Sequence, residues 1–312
     1  MDITVAICTW NRASLLRETL ARLEDVSAAI APSWSLLVID NNSTDETQAV
    51  INSFTGRLPL TNLIERRQGQ CHARNLAIRE ARGTHLVFID DDVLVDGEWL
   101  NSFARGVEAF PDAAAFGGPI DPWFKEPPDP VVAEAFPLLA TGFCGILDDR
   151  PGGVLPEGQE VFGANMAFRL AALGDLQFDP NLGPSATPGL VGDEIDFVAR
   201  LRRRGGQVVW LPDMRVRHYV APFRMTVPYL CDYYEGRGRT FIRSEGVPGG
   251  RAIFGVPIWL LRQWAGRVVV AARDRAFAGR RAYLVSRRWE RYERGMVKEC
   301  ASARHAHPLR HS

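Results

Sequence analysis

Several features that would place this chain in other classes of protein are scarce or absent. The 312 residues carry 37 basic and 37 acidic side chains, so the formal net charge is zero, which excludes a uniformly basic nucleic-acid binder. The five cysteines form no C-x-x-C pair and have no histidine at zinc-ligand spacing. With 46% hydrophobic and 24% charged residues, the composition is that of a globular protein with a large core.

A secretory leader and long apolar runs are also lacking. The sequence starts Met1-Asp2-Ile3-Thr4 and goes straight into strand-like alternation, which predicts a cytoplasmic protein. No run reaches the roughly 18 apolar residues of a membrane span, although residues 252–272 come near. Scattered cysteines fit reduced thiols in a reducing compartment. They are Cys8, Cys71, Cys144, Cys231 and Cys300.

Strand and helix patterns alternate through the first third of the chain. The strand patterns cover residues 3–7, 36–39, 62–66 and 86–89. This alternation predicts a mostly parallel sheet with helices on both faces. Ligands of such sheets bind beyond the carboxyl ends of the strands. We therefore expect the polar segments Thr9–Arg12, Asp40–Asn42 and Asp90–Asp92 to converge.

Three consecutive aspartates, Asp90–Asp92, come directly after a buried strand pattern. Like charges crowded at that place are costly unless a cation compensates them. Carboxylate oxygens suit a hard ion such as Mg2+ or Mn2+. The alternative is a solvated turn in which Asp91 or Asp92 caps the next helix.

The other strand ends offer groups that suit a nucleotide. Asp40 with Asn41 and Asn42 can bind a base or ribose, or can form an Asx-turn. Thr9–Arg12 supplies a hydroxyl, an aromatic face and a cation, or alternatively an N-cap and a surface arginine. Arg74 opens a helix where a guanidinium can meet a diphosphate, unless it is an ordinary exposed arginine.

Carboxylates recur at the start of a later helix, in Gly192–Phe197. Asp193 or Glu194 could take the proton from an acceptor hydroxyl. The alternative is a helical first turn in which acidic side chains favour the helix dipole. His218 follows another strand pattern, and an isolated histidine is more often structural than a ligand.

Two segments in the middle of the chain are predicted to face the acceptor. Pro119–Pro130 contains five prolines around Trp123, which predicts a long irregular loop that acts as a lid or acceptor wall. Phe162–Met166 combines a glycine with Asn165, as a substrate-contacting loop would, although a simple turn explains it nearly as well.

Together these segments resemble family 2 glycosyltransferases of the GT-A fold, over about residues 3–220. The resemblance implies a nucleotide-diphosphate-sugar donor, most simply a UDP-sugar, Mg2+ or Mn2+ as cofactor, and inversion at the anomeric carbon. It implies an α/β architecture, a GT-A nucleotide-diphospho-sugar transferase fold with a mostly parallel central sheet and a C-terminal helical extension. Within the family, the resemblance is to enzymes of the polysaccharide-assembly type.

The resemblance assigns roles to individual positions. Asp40 matches the base-binding aspartate, Asp90 and Asp92 match the carboxylates that hold ribose and metal, and Arg74 matches an arginine near the nucleotide. The family's E-D-x-D motif falls on residues 193–196, which makes Glu194 the expected base and Asp193 the second candidate. His218 is then expected near the metal or diphosphate. Further donor contacts are predicted at Thr9, Trp10, Asn11, Arg12, Asn42 and Asp91, and acceptor contacts at Asn165 and Trp123.

Domain organisation follows from the change in composition. We expect a catalytic domain over residues 1–222, with a donor half of about 1–118 and an acceptor half of about 119–222, and a helical extension over 223–312. Residues 262–294 hold ten arginines and three acidic residues, a local net charge of +7, and an apolar stretch precedes them. This pattern predicts in-plane attachment to the inner face of the cytoplasmic membrane. The alternative is a helical pair packed on the catalytic domain.

Two other functions fit the sequence less well than a glycosyltransferase does. A sugar-phosphate nucleotidylyltransferase should carry a glycine-rich phosphate loop after the first strand, where this chain has Thr9–Arg12. A non-catalytic nucleotide-sugar or glycan-binding module has no need of both a metal cluster and a base. The expected partners are a nucleotide-diphosphate sugar, a glycan or lipid-linked acceptor and an anionic membrane surface, with no nucleic acid.

Overall fold

The structure is a computed structural model that describes residues 2–27, 33–128, 130–143, 145, 150–159, 161–183 and 190–306. The chain divides into two compact units. The first comprises Met1–Trp123, Cys144–Ser185 and Asp193–Tyr219, and the second Phe124–Phe143, Ala186–Gly192 and Val220–Ser312. The second unit thus includes residues 124–143, which lie well before the predicted boundary at residue 222. The division of residues 1–222 into a donor half and an acceptor half stays a prediction.

Strands and helices are numbered in chain order over the described residues. The strands are β1 Asp2–Thr9, β2 Ser33–Asp40, β3 Leu60–Ile64, β4 His85–Asp90, β5 Val93–Leu94, β6 Ala115–Gly117, β7 Ile120–Trp123, β8 Gly153–Val154, β9 Met166–Arg169, β10 Val208–Trp210, β11 Val216–Tyr219, β12 Ala252–Ile253 and β13 Val256–Pro257. The helices are α1 Ala13–Ser27, α2 Thr47–Ser53, α3 Gln70–Glu80, α4 Trp99–Ala109, α5 Pro130–Leu139, α6 Leu170–Leu173, α7 Asp193–Arg203, α8 Val227–Glu245, α9 Ile258–Arg273 and α10 Gly279–Ala306.

Eight strands of the first unit form one sheet in the order β3-β2-β1-β4-β9-β6-β10-β8. Strand β1 pairs in parallel with β2 and β4, β2 pairs in parallel with β3, and β6 pairs in parallel with β10. Strand β9 is antiparallel to β4 and β6, and β8 is antiparallel to β10. The predicted mostly parallel α/β sheet is confirmed. The third strand starts two residues earlier than predicted, because Leu60 pairs with Leu36 in the register of β2.

Apolar side chains cover both faces of this sheet. Successive residues of a strand point to opposite faces. Val5 and Ile7 of β1 therefore pack in one cluster with Leu16 of α1, while Ala6 packs in the other with Ala73 of α3. Burial on both faces fixes the strands, so the residues at their carboxyl ends are held in defined positions.

A smaller sheet, in the order β5-β11-β7, lies within the same unit. It pairs His218 with Val93 and with Pro122. The prediction of an irregular loop from Pro119 was therefore wrong for Ile120–Trp123, which form strand β7. A local pattern rich in proline did not reveal this strand, because its partner β11 comes much later in the chain.

The second unit contains α5, α8, α9 and α10 together with the β12-β13 hairpin. Helices α8 and α10 can approach closely because glycine has no Cβ. A Cβ at Gly238 would overlap the Tyr292 carbonyl, and a Cβ at Gly295 would overlap the Glu235 carbonyl. Within the described part of the chain, no helix combines the length and apolarity needed to cross a membrane. Among the described cysteines, Cys8, Cys71, Cys231 and Cys300 are free thiols, whereas Cys144 lies outside the described residues.

Candidate active site

The aspartates after β4 are buried and joined to the loop after β1. Arg12 Nη1 donates to Asp91 Oδ1 at 2.9 Å and to Asp92 Oδ2 at 2.6 Å. Thr9 Oγ1 donates to Asp91 Oδ2 at 2.7 Å. Asp91 and Asp92 are 4% and 1% exposed, so the alternative of a solvated turn was wrong. Strand β1 thus delivers a hydroxyl and a cation that hold two of the three carboxylates.

Electrostatics within this cluster change how its groups bind protons. Burial and the neighbouring charge of Asp92 raise the pKa of Asp91 to about 6. Burial disfavours the charge on Arg12, but attraction by Asp92 and Asp91 outweighs it and raises the pKa of the guanidinium. Burial also disfavours the charge on Asp90, yet His218 and the charge of Arg74 outweigh that effect and lower the pKa of this carboxyl.

Asp90, Asp92 and His218 form a group that could hold a metal ion. One ligand atom from each lies within 4.8 Å of the others. His218 Nε2 is 3.1 Å from Asp92 Oδ1 and 3.7 Å from Asp90 Oδ2. The small sheet sets this position, because His218 pairs with Val93 and the Tyr219 amide donates to the Asp92 carbonyl at 2.9 Å. Two carboxylates and one imidazole fit a divalent cation such as Mn2+ or Mg2+.

A buried ion pair joins α3 to the start of α7. Arg74 Nη1 donates to Asp193 Oδ2 at 2.6 Å, and the two side chains are 4% and 2% exposed. Cys71 Sγ lies 3.4 Å from the same carboxylate oxygen. The Arg74 guanidinium also lies 5.3 Å from the centre of the Phe178 ring. Asp193 is therefore fully occupied as a partner of Arg74 rather than open to a substrate.

Glu194 is the more accessible carboxylate of this pair of neighbours. Its side chain is 14% exposed, and Oε2 lies 3.9 Å from Arg74 Nη1. Burial and the charge of Asp193 raise the pKa of Glu194 to about 8, with Arg74 acting in the opposite direction. A carboxylate with a pKa in this range can accept a proton near neutral pH.

Two glycines leave the space that Arg74 and Asp193 occupy. A Cβ at Gly163 would overlap Arg74 Nη2. Gly183 has φ +80° and a Cβ there would lie 2.7 Å from Asp193 Oδ1. The sequence pattern does not mark Gly183, Cys71 or Phe178 as site residues. Gly163 lies in the 162–166 segment, for which the sequence predicts contact with the substrate instead.

Asp40, at the end of β2, is 2% exposed and holds its own loop. Its Oδ1 accepts from the Ser43 amide at 2.9 Å, and its Oδ2 accepts from Gln48 Nε2. Asp40 thus binds the backbone of its own loop, as the alternative had it, but three residues on rather than the two of an Asx-turn. Asn42, two residues on, is exposed and adopts φ 66°. The predicted base contact of Asp40 stays a prediction.

Asn11 and Trp10 extend beyond the end of β1. Asn11 has φ 52°, and its Oδ1 accepts from the Thr44 amide at 2.7 Å and the Asp45 amide at 3.3 Å. Asn11 therefore ties the first loop to the second, and the Ala13 amide of α1 donates to Asp45 instead, at 3.1 Å. Trp10 is 48% exposed, so its ring is available to a ligand.

The two residues predicted on the acceptor side occupy different environments. Asn165 is 0% exposed; its Nδ2 donates to the Pro119 and Met214 carbonyls and its Oδ1 accepts from Trp99 Nε1 at 3.1 Å. The amide of Asn165 therefore holds neighbouring backbone together, and its predicted acceptor contact stays a prediction. Trp123 lies on β7, half-buried, with its ring 5.4 Å from that of Tyr219.

A mostly parallel sheet with a candidate metal-binding group beyond the end of β4, and a carboxylate of raised pKa at the start of α7, is typical of an α/β enzyme. Comparison with protein families makes the assignment specific. Residues 4–128 match the model "Glycosyl transferase family 2", and residues 85–237 match "Glycosyl transferase family group 2". The chain therefore carries a glycosyltransferase family 2 domain and is a glycosyltransferase.

Similar proteins come from several organisms. The chain is 23% identical over 237 residues to the glucosyl-dolichyl phosphate glucuronosyltransferase of Haloferax volcanii, covering 74% of this chain and 73% of that protein. It is 24% identical over 250 residues to the succinoglycan biosynthesis protein ExoM of Rhizobium meliloti, covering 77% and 74%.

Among solved structures, a Pyrobaculum calidifontis mannosyltransferase in complex with GDP-Man and Mn2+ superposes with a TM-score of 0.58. That match has 19% identity and covers 97% of this chain and 86% of the other. At this identity the similarity establishes the GT-A fold alone.

Proposed function

We propose that this enzyme transfers a sugar from a nucleotide-diphosphate sugar to a hydroxyl of a glycan or lipid-linked acceptor, with inversion at the anomeric carbon. One observation carries the proposal. Arg74 Nη2 lies 3.8 Å from Asp90 Oδ1 of the metal-binding group, and Nη1 lies 3.9 Å from Glu194 Oε2. The group that would bind the diphosphate and the carboxylate that would deprotonate the acceptor therefore stand on either side of one guanidinium.

Glu194 acts as the base in this proposal, and Asp193 positions Arg74. Asp193 is tied to Arg74 at 2.6 Å, so its carboxylate is already engaged by the guanidinium. Glu194 is more exposed and has a pKa raised to about 8. It takes the proton while the acceptor oxygen attacks the anomeric carbon opposite the diphosphate. Holding both substrates in line supplies much of the remaining acceleration.

Asp90, Asp92 and His218 would hold the cation, whose charge would stabilise the departing diphosphate. The imidazole in this donor set favours Mn2+ over Mg2+. Arg12 stays with Asp91 and Asp92, where it limits the repulsion between these carboxylates before a cation binds.

The loops after β1 and β2 would bind the nucleoside. Trp10 offers an exposed ring for stacking, next to the loop that Asn11 holds in place. A carboxylate oxygen can accept two hydrogen bonds, so Asp40 could receive a base N–H beside those from Ser43 and Gln48. A uracil N–H is the expected partner, and a GDP-sugar is the alternative that the donor assay must include.

The acceptor and the location belong to the same proposal. The Haloferax relative is named for a lipid-linked sugar, glucosyl-dolichyl phosphate, and ExoM for the biosynthesis of a polysaccharide. Both names support an acceptor that is a growing glycan or a lipid-linked sugar. We place the reaction in the cytoplasm, where nucleotide sugars are the expected donors.

The test is a donor assay with and without Mn2+. The purified chain is incubated with UDP- and GDP-sugars while thermal stability and nucleotide release are measured, because a ligand that binds only the folded state raises its stability. We expect Mn2+-dependent stabilisation and slow release of a nucleoside diphosphate. Asp92→Asn should abolish both, and the matched variant Asp96→Asn, at an exposed position, should abolish neither.

Other outcomes identify other functions. Release of pyrophosphate from a nucleoside triphosphate and a sugar phosphate would mean a nucleotidylyltransferase. Binding without any turnover, with donor and acceptor analogues present, would mean a binding module. No stabilisation by any nucleotide sugar would contradict the proposal as a whole.

A further inference from the structure

Helix α9, in the second unit, has one face packed and the opposite face exposed. Leu260 and Ala271 are 1% and 2% exposed and pack inward. The residues that the helical period places opposite them are all exposed. They are Arg262, Ala265, Val269, Ala272 and Arg273, hereafter the α9 face. Val269, at its centre, is 68% exposed.

Each of the two connections that flank α9 carries an exposed phenylalanine. Phe254, in the turn of the β12-β13 hairpin, is 77% exposed, and Phe277, between α9 and α10, is 87% exposed. Trp259, in the first turn of α9, is 44% exposed. Isolated exposed apolar residues are ordinary, but large aromatic rings before, within and after one helix are a concentration that points to an interaction surface.

Backbone geometry sharpens this point at Phe254. Phe254 and Gly255 have φ 51° and φ 81°, and Ile253 pairs with Val256 across the turn. A two-residue turn of this kind favours Asn-Gly, because asparagine tolerates positive φ and a bulky residue does not. The phenylalanine therefore weakens its own turn while presenting a ring to solvent, which its local structure does not need.

The charge around these rings is strongly positive. Residues 251–289 contain nine arginines and one aspartate, a net charge of +8. That aspartate, Asp274, is paired with Arg273 at 2.7 Å. Arg262 and Arg280 are exposed and have no carboxylate partner within ion-pair distance among the described residues. Arg267 and Arg287 pair with Glu293 and Glu290, whose side chains are each 3% exposed. The surface thus combines aromatic rings with exposed positive charge, since these two carboxylates are buried.

We propose that the α9 face, Phe254 and Phe277 form a docking surface for an anionic phospholipid bilayer. Exposed aromatic rings enter the boundary between headgroups and acyl chains, and arginines lie at the level of the lipid phosphates. Charge complementarity selects this occupant over a second copy of the chain, because two copies would bring the exposed Arg262 and Arg280 of one surface against those of the other. The surface lies within the second unit and does not depend on the proposed donor chemistry.

Vesicle flotation with the full-length chain tests the proposal. Binding is measured on phosphatidylcholine vesicles with and without about one third phosphatidylglycerol, at low and high salt. We expect binding to the anionic vesicles only, weakened by salt. Removing both rings, as Phe254→Asn with Phe277→Ser, should reduce the partition coefficient by roughly 100-fold, because each buried ring contributes at least about tenfold. Phe254→Asn suits the turn and should not unfold it.

Charge variants and matched controls complete the experiment. Arg262→Gln with Arg280→Gln should weaken binding about 25-fold, roughly fivefold for each charge. Phe223→Ser, which removes another exposed ring, and Arg17→Gln, which removes an exposed arginine of α1, should leave binding unchanged. Circular dichroism confirms that each variant is folded.

Three results would overturn the proposal. Absence of binding to anionic vesicles at low salt would do so directly. Equal binding of the ring variants and the unaltered chain would show that another surface makes the contact. A dimer in sedimentation velocity that Phe277→Ser dissociates, without any effect on vesicles, would assign the surface to a second copy. None of these results affects nucleotide-sugar binding, so the proposed function is tested separately.

Discussion

Replacing Arg74 with methionine should be among the most destabilising single changes in the first unit. The substitution keeps an apolar stem but leaves Asp193 charged, 2% exposed and without its 2.6 Å partner. The Cys71 thiol, 3.4 Å away, is a weak donor and cannot replace a guanidinium. Breaking a buried ion pair from one side costs about 3–5 kcal/mol. We therefore expect the free energy of unfolding to fall by that amount.

Helix α3 also provides the matched control. Arg79 is 41% exposed and lies 3.9 Å from Glu65, so its ion pair is worth no more than about 1 kcal/mol. Urea unfolding at pH 7, followed by circular dichroism, should separate Arg74→Met from Arg79→Met by at least about 2 kcal/mol. Adding Asp193→Asn to Arg74→Met removes the stranded charge and should recover part of the loss. Equal stability of the two single variants would refute the role assigned to the buried pair.

The remaining predictions concern the candidate active site. Burial and its acidic neighbour raise the pKa of Glu194 to about 8, so kcat/KM should rise with pH up to about 8, and Glu194→Gln should remove this dependence. A rise of kcat/KM centred near pH 4.5, the ordinary pKa of a glutamate, would contradict the assignment. The protonated form is favoured by folding, so the free energy of unfolding should also fall between pH 5 and 8, less so in Glu194→Gln. His218→Ala should weaken Mn2+ binding, measured by calorimetry, by roughly tenfold or more, whereas His72→Ala should not. If His218→Ala and the unaltered chain bound Mn2+ equally, His218 would not be a metal ligand. Gly163→Ala should displace Arg74 from Asp193 and so lower both kcat and the free energy of unfolding, and unchanged values of both would mean that the guanidinium has room to move.

Local patterns were sufficient to predict the half of the sheet that contains β1, β2 and β4. Strands β1, β2 and β4 alternate with helices, and their side chains are buried on both faces, so periodicity and polar strand ends identify them. The predicted convergence of their ends is confirmed: Thr9 pairs with Asp40, and Cys8 pairs with Asp90.

Interactions between distant segments could not be predicted in this way. The partner of Arg74 is Asp193, which comes 119 residues later, and no local pattern links the two. Strand β7 contains Pro122, a residue that normally argues against a strand, and its residues pair with those of β11, almost 100 positions later. Sequence patterns reveal which residues can act chemically, but packing decides which partner each one has.

Asn165 illustrates the same limit within a single residue. An amide next to a glycine is equally suited to a substrate and to backbone groups, since its donor and acceptor capacities are the same in both cases. The burial of Asn165 and its bonds to Pro119, Met214 and Trp99 became visible only in the structure.

The pairing of β11 with β5 also affects the order in which the site is assembled. Asp92 and His218 are 126 positions apart, and His218 reaches the aspartates only when β11 has docked beside Val93. A ribosome-bound chain that ends before residue 216 therefore has the carboxylates but not the imidazole. Such a nascent chain could attract a cation only weakly, and full affinity for the metal would appear when the first unit is completed. Metal binding would in this way report that folding of the catalytic unit has finished, before any sugar is transferred.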